Sequence, residues 1–320
     1  MSEKAKISGF SMVKNASKLY YPIKAAIESI LPICDEFILA LGDCDKDDTT
    51  REEVLSIDSE KIKIIDTVWD LKKYPNGTEN AHQTDIAREA CSGDWLFYVQ
   101  ADEVVHEKYL ASIVEKCNRY LNNLNVEGLL FKYKHFWGDY HHFQNSHGWY
   151  PHEIRVIRNH PDIHSWESAQ SFRRIPNFDY QNYRQQEGTY KLNVVMADAY
   201  IYHYGWVRPP GLMQNKRKAL DTIHKGKEKV KNMYAAESDR FDYGPLKFAA
   251  KFEGTHPKVM KEWIDKFDWG DELYEKGSIP KNRDPFKHEK LKYRLMTFLE
   301  QKILGGKHLA EFENYKLIKI

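Results

Sequence analysis

Long apolar runs are missing from this chain. No stretch approaches the roughly 18 apolar residues of a membrane-spanning helix, and Met1 to Lys6 is polar, with no apolar signal segment behind it. The expectation is a soluble protein, cytoplasmic or peripheral to the inner face of a membrane. Cysteine is scarce: Cys34, Cys44, Cys91 and Cys117 stand apart, none in a C-x-x-C pair. That spacing argues against a thiolate zinc site and a disulfide framework, and suits a reducing compartment. Net charge is nearly absent, at +1, so no global field favours nucleic acid. P-loop, G-x-G-x-x-G and G-x-S-x-G motifs are all lacking, which counts against ATPase, dehydrogenase and α/β-hydrolase chemistry. There is no internal repeat and no low-complexity tract.

What is present is an ordinary globular composition. The 320 residues are 42% hydrophobic and 30% charged, enough for a sizeable core. Aromatic residues are abundant at 13%, with 20 Tyr and 8 Trp. Their flat faces and polar tips suit sugar stacking as well as they suit a core.

The first hundred residues alternate strand and helix signals. Ile7 to Val13, Phe37 to Leu41, Lys61 to Ile65 and Trp95 to Val99 read as strands. Pro22 to Leu31 and Asn80 to Cys91 read as helices, the first from Ile23, Ala26, Ile27 and Ile30 at helical spacing. This βαβ order predicts a mostly parallel sheet flanked by helices, with ligands bound outside the carboxyl ends of the strands. Farther on, His106 to Asn122 reads as a helix, and Gly128 to Tyr133, Glu153 to Arg158 and Val194 to Tyr204 as strands. After Pro209-Pro210 the sequence turns charged and helical. A boundary is placed there, giving a ligand-binding and catalytic domain over 1–210 and a helical C-terminal extension over 211–320.

Three polar clusters stand at expected strand ends. Asp43, Cys44, Asp45, Lys46, Asp47 and Asp48 follow the second strand, as a plain turn or as carboxylates for a nucleoside's ribose or base. Gln100-Ala101-Asp102-Glu103 follows Trp95 to Val99. Adjacent acids at the end of a buried strand need a partner, either a divalent cation or the N-terminus of the helix that follows. His203 ends the last strand. Alone it is a packed histidine; beside a cation it is a ligand.

In order and spacing, these pieces resemble the family-2 glycosyltransferases with the GT-A fold. Ile7 to Asn15 looks like that family's first strand and its nucleotide-facing end. Asp43, Asp45, Asp47 and Thr49 look like its Asp-rich loop, and Trp95 to Glu103 like the strand leading into its D-x-D motif. The resemblance, over about two-thirds of the chain, implies an α/β protein of GT-A type that binds a nucleotide-sugar donor through Ser11, Asn15, Asp43, Asp47, Gln100, Ala101 and Asp102. It implies Mn²⁺ or Mg²⁺ held by Asp102 and His203. Gln100 stands where the motif has Asp; an amide can bond a ribose hydroxyl but adds no charge for the metal. The implied reaction is inverting transfer to a glycan or lipid-linked acceptor hydroxyl, as in polysaccharide biosynthesis.

The acceptor region is expected between Gly128 and Arg174, about 128–174. Half of the 14 histidines lie between His135 and His164, interleaved with rings such as Trp137, Trp149 and Tyr150. The acceptor's proton needs a carboxylate base. Glu167, in a polar loop, is preferred; Glu153, opening a strand beside Arg155 and Arg158, reads more easily as an ion pair. Two other classes remain: a non-catalytic carbohydrate- or nucleotide-sugar-binding protein on the same fold, motivated by Gln100, and a nucleotidyltransferase, which Ser8-Gly9-Phe10 does not favour as a phosphate loop. Finally, Leu291, Leu295, Phe298, Leu299 and Lys302 recur at helical spacing beside Lys287, Lys290, Lys292 and Arg294. They read as a helix packed on the catalytic domain or as one that meets an anionic membrane.

Overall fold

The apolar runs of the N-terminal half become one side of a large sheet. β1 (Ile7–Val13), β2 (Glu36–Leu41) and β4 (Trp95–Tyr98) are buried almost throughout, and β3 (Ile62–Asp66) forms the edge. They pair in the order β3-β2-β1-β4, all parallel. Parallel neighbours require crossovers, supplied by α1 (Ile23–Ile30), α2 (Thr50–Leu55) and α3 (Thr78–Glu89). Ile23, Ile27 and Ile30 of α1 enter the same core as Phe37, Leu39 and Phe97, as their spacing dictates. The computed structural model describes residues 4–281, 283–309 and 313–319, so Met1 to Glu3 of the polar start lie outside it.

Beyond β4 the sheet is mixed. β5 (Glu103–Val105) is followed by α4 (Leu110–Arg119), then by β6 (Gly128–Trp137), β7 (His142–Gln144), β8 (His152–Arg158), β9 (Ile163–Trp166), β10 (Ser171–Arg174) and β11 (Tyr190–Trp206). The path continues β4-β8-β6-β11-β10-β9, and β5 pairs antiparallel with β11. The architecture is α/β, a mixed sheet flanked by helices.

The segment expected as a helical extension holds α5 (Pro210–Lys225), α6 (Lys227–Met233), α7 (Lys261–Asp265) and α8 (Leu291–Phe298), but also two strands. β12 (Ala250–Lys251) pairs with β7, and β13 (Tyr315–Leu317) lies parallel to Leu192–Val194 of β11. Met213, Phe241, Tyr243 and Leu246 pack on Trp137 of β6. The extension is thus joined to the sheet by backbone pairing and by an apolar cluster.

The element that positions the site is a buried ion pair. Arg155 of β8 grips Glu103 of β5 with two parallel bonds, Nε to Oε2 at 2.7 Å and Nη2 to Oε1 at 2.8 Å, both side chains fully buried. Tyr133 donates to the same carboxylate at 2.7 Å, and the Gln100 N–H at 3.1 Å. Arg155 also donates to the Gln170 carbonyl at 3.0 Å. Removing one member of such a pair strands the other's charge, which typically costs about 3–5 kcal/mol. Arg155→Met should therefore lower stability by about that amount in urea denaturation. Lys261→Met, which breaks an exposed pair with Asp265, should cost at most about 1 kcal/mol. Equal losses would show that the buried grip holds nothing together.

Candidate functional site

Asp102 stands between β4 and β5, at the carboxyl end of the parallel half. Sheet register brings it a histidine: in β11, His203 lies opposite Glu103 on one side and His135 of β6 on the other. Asp102 Oδ2 is 3.6 Å from His203 Nε2 and 3.3 Å from Lys216 Nζ on α5, all three side chains buried. Against the desolvation that would raise it, Lys216, and His203 when its ring is protonated, hold the Asp102 carboxyl well below the usual range. Lys216 bears its own desolvation. Burial and the neighbouring Arg208 push its ammonium down to about 7, although Asp102 opposes the shift. The lysine also donates to the Gly205 carbonyl at 2.6 Å.

A histidine relay sets the proton positions. His135 Nε2 lies 2.8 Å from the Tyr150 carbonyl, which can only accept, so that nitrogen carries hydrogen. Burial, then His203, hold the His135 ring well below its ordinary pKa, hence neutral. Its Nδ1 is thus an acceptor, 2.9 Å from His203 Nδ1, which must donate. In a neutral His203, Nε2 therefore presents a lone pair toward Asp102. Gly205 keeps that space open: a Cβ there would fall 2.4 Å from His203 Nε2 and 2.8 Å from Asp102 Oδ2. An oxygen and an imidazole nitrogen converging on a space kept clear by glycine form a donor set suited to a divalent ion that completes its shell with phosphate oxygens. Among the described residues, no group of three or more His, Cys, Asp or Glu forms a complete protein cage. Glu103 is not available, being spent on Arg155.

The Asp-rich loop lies at the ends of β1 and β2. Asn15, at φ 56°, accepts the Asp45 N–H on its side-chain oxygen at 2.8 Å and so braces the loop. Asp43 Oδ1 accepts from Lys14 Nζ at 2.8 Å and from the Trp69 N–H at 2.9 Å. Despite partial desolvation, these bonds lower its pKa. Gly42 lets the Trp69 ring close over the loop, since a Cβ would meet the indole nitrogen at 2.5 Å. That indole N–H is shielded from solvent and has no partner among the described residues. Asp47 is 77% exposed and shares Lys18 with Asp45.

A cavity of about 340 Å³ opens beyond β8, lined by Trp149, Tyr150, Glu153, Trp166, Glu167 and His308 among others. Both carboxylates weighed as bases face it, within the expected acceptor region. Arg155 turns to Glu103, so no salt bridge with Arg155 holds Glu153, contrary to the expected ion pairing. Burial pushes its carboxyl up to about 8, with Arg155 opposing and Glu103 reinforcing the rise. Glu167 is half-buried, at φ 59°, its N–H bonded to the Tyr183 carbonyl at 2.8 Å. Tyr150 is common to cavity and relay, so the two regions adjoin.

The remaining expected residues divide. Ser11 needs correction as a donor contact: it is fully buried and its hydroxyl donates to the Val99 carbonyl at 2.6 Å, tying β1 to the end of β4. Gln100 donates to the Ala169 carbonyl at 3.1 Å, bracing the loop that carries Glu167. Ala101 is buried, within the turn before Asp102. Sequence reasoning missed Lys216, His135 as relay, Trp69 and the Arg155 grip. Only the shared side of alternating residues Tyr133 and His135 in a strand gave a signal for any of them.

The chain matches no protein-family model and no curated protein. Among solved structures it is similar to TarS 1-349 of S. aureus, at 14% identity and TM-score 0.37, over 72% of this chain and 70% of that one. It is similar also to the same protein in complex with UDP, at 15% identity and TM-score 0.36, over 72% and 70%. A third likeness is to glucosyl-3-phosphoglycerate synthase of Mycobacterium tuberculosis in complex with Mn²⁺, uridine-diphosphate and phosphoglyceric acid. Identity is 17% and TM-score 0.28, over 42% of this chain and 43% of that one.

Two outcomes are expected. Gly205→Ala should fold but lose any Mn²⁺-dependent thermal shift with UDP, because the methyl group fills the space between Asp102 and His203; a retained shift would place the ion elsewhere. Asp43→Ala should weaken metal-free UDP binding by about 1–3 kcal/mol in calorimetry. Unchanged affinity would leave the loop a scaffold.

Proposed function

We propose that the protein is a glycosyltransferase that moves a sugar from a nucleoside-diphosphate donor to an acceptor hydroxyl, inverting the anomeric carbon. The observation that carries this reading is the adjacency of the Asp102–His203–Gly205 space to a cavity faced by two carboxyl groups. Asp43 accepts from the nucleoside, and Asn15 holds the loop in place. Asp102 and His203 would hold Mn²⁺ or Mg²⁺, which when bound supplies positive charge for the departing diphosphate. Lys216 balances Asp102 at the same edge. The acceptor hydroxyl gives its proton to Glu167 as it attacks. At neutral pH Glu153 is mostly protonated, so it serves as a hydrogen-bond donor to the acceptor rather than as the base.

One observation favours a second reading, a sugar-nucleotide-binding protein without turnover: Gln100 spends its amide N–H on Ala169. Hydrolysis or transfer of a UDP-sugar with Mn²⁺ separates the two readings. Nucleotidyl transfer gains nothing from the structure, since Ser8, Gly9 and Phe10 lie inside buried β1 instead of in a phosphate loop.

Glu167→Gln should bind donor normally yet transfer about 10²–10⁴-fold more slowly. Full turnover in that variant, with loss in Glu153→Gln, would reverse the roles. Glu153 also predicts a pH effect on stability. The folded chain keeps its proton up to about 8, while an unperturbed carboxyl releases it near 4.5. The native state binds more protons over that window, so stability falls as pH rises from about 4.5 to about 8. In Glu153→Gln this contribution to the slope of urea midpoint against pH should vanish.

A further inference from the structure

α8 is built inside out. A helix on a protein surface normally buries its apolar stripe and shows its polar face. Here the inward face carries Tyr293, its ring 5.8 Å from that of His147, together with a set of polar bonds. Thr297 accepts from the His147 N–H at 2.9 Å, and Glu300, fully buried, accepts from the His147 ring at 2.7 Å and the Leu309 N–H at 2.8 Å. Gln301 donates to the Asn145 carbonyl at 3.1 Å. Those bonds fix the rotation of α8 and of the π-helical turn Leu299–Ile303 that continues it. The outward face is consequently apolar. Leu291, Leu295 and Phe298, at i, i+4 and i+7, are 67%, 58% and 58% exposed, and Ile303 is 64% exposed. The packing of this apolar stripe on the catalytic domain, one of the two expectations for it, is not what the structure shows.

The exposed charges within residues 287–307 have one sign. They are Lys287, Lys290, Lys292, Arg294, Lys302 and Lys307, and among the described residues none of the six forms an ion pair. The acids in the segment, Glu289 and Glu300, are buried and engaged by Arg283 and His147. An apolar stripe exposed on a monomer marks a docking surface, and the exposed basic residues that accompany it in the segment favour an anionic partner. A second copy of this chain would set the same positive charges against themselves across a two-fold axis.

We propose that this face docks on an anionic lipid bilayer, with Leu291, Leu295, Phe298 and Ile303 seated among the headgroups and the basic residues on the lipid phosphates and carboxylates. Lys287, His308 and Leu309 of the same segment line the cavity that holds Glu153 and Glu167. Docking therefore brings the cavity close to the membrane, where a lipid-linked acceptor would reside. That last step rests on the glycosyl-transfer reading; the docking itself does not, because vesicle binding needs neither donor nor acceptor.

The test is co-sedimentation of the full chain with phosphatidylcholine vesicles and with vesicles containing about one-third phosphatidylserine. Binding is expected to the anionic vesicles only, and should weaken as salt shortens the Debye length. Leu295→Ser with Phe298→Ser removes the apolar contact and should cut vesicle affinity at least about tenfold. Lys290→Glu with Lys292→Glu should cut it further, each lost cation alone being worth about fivefold near such a surface. All four positions are solvent-exposed, so both double variants should keep the wild-type melting temperature. No binding to anionic vesicles, or wild-type affinity in either double variant, overturns the proposal. So does sedimentation velocity showing a dimer that the Leu295→Ser, Phe298→Ser variant dissociates while neither protein binds lipid, since the face would then belong to a second copy.

Discussion

The Arg155–Glu103 pair is the constraint on which the site depends. Both charges are fully buried, a state that is unfavourable unless each oxygen and each N–H finds a partner. Here the partners come from four separate places: the turn at Gln100, β6 through Tyr133, β8 itself through the Ile154 carbonyl, and the loop at Gln170. The grip thus fixes β5 against β8, and β5 carries Asp102 at its head. It also fixes the loop that carries Glu167. A displacement of either half would leave a buried ion unsatisfied, so the two halves of the site are held in one geometry without a shared covalent element.

β11 supplies the second constraint. It is long enough to pair with β5, β6, β10 and β13, and its register sets His203 between two strands that approach from opposite sides. One residue of slip would turn His203 to the other face of the sheet. The relay His203–His135–Tyr150 then passes orientation from the sheet to the cavity wall. Its last acceptor is a backbone carbonyl, which cannot reverse its role, so the tautomers along the relay follow from its end.

Much of the frame was legible in the sequence, because buried strands announce themselves. Ile7 to Val13, Trp95 to Val99 and Glu153 to Arg158 are apolar or alternating runs of strand length, and each is a strand within a residue at either end. Polar residues after strand ends pointed to Asp43 and Asp102 for the same reason. What stayed hidden depends on pairing across long distances in sequence. Nothing around Lys216 distinguishes it from its charged neighbours on α5, yet it is the one that reaches Asp102, 114 residues away. Arg155 was read beside Glu153 because they are near in sequence; its true partner lies 52 residues away. Ser11 fails as a donor contact because its hydroxyl has a carbonyl to satisfy inside the sheet. The face of α8 that turns outward was not legible either, since periodicity gives a stripe but not the side on which the protein lies.

The two carboxyl groups of the cavity show how one wall can offer two kinds of oxygen. Glu153 opens a strand and is buried, with Arg155 committed elsewhere, so desolvation prevails and the group is mostly neutral at pH 7. Glu167 stands on a loop with positive φ, an uncommon conformation for a residue bearing a side chain and one that persists only where surrounding bonds enforce it. The enforcing bonds are identifiable: Tyr183 holds the Glu167 N–H, and Gln100 and Arg155 hold the carbonyls of Ala169 and Gln170. A group that must take a proton from an acceptor needs to be ionised and held in position, and Glu167 has the bonds that hold it. A group that must orient a hydroxyl without competing for its proton is better neutral, as Glu153 is.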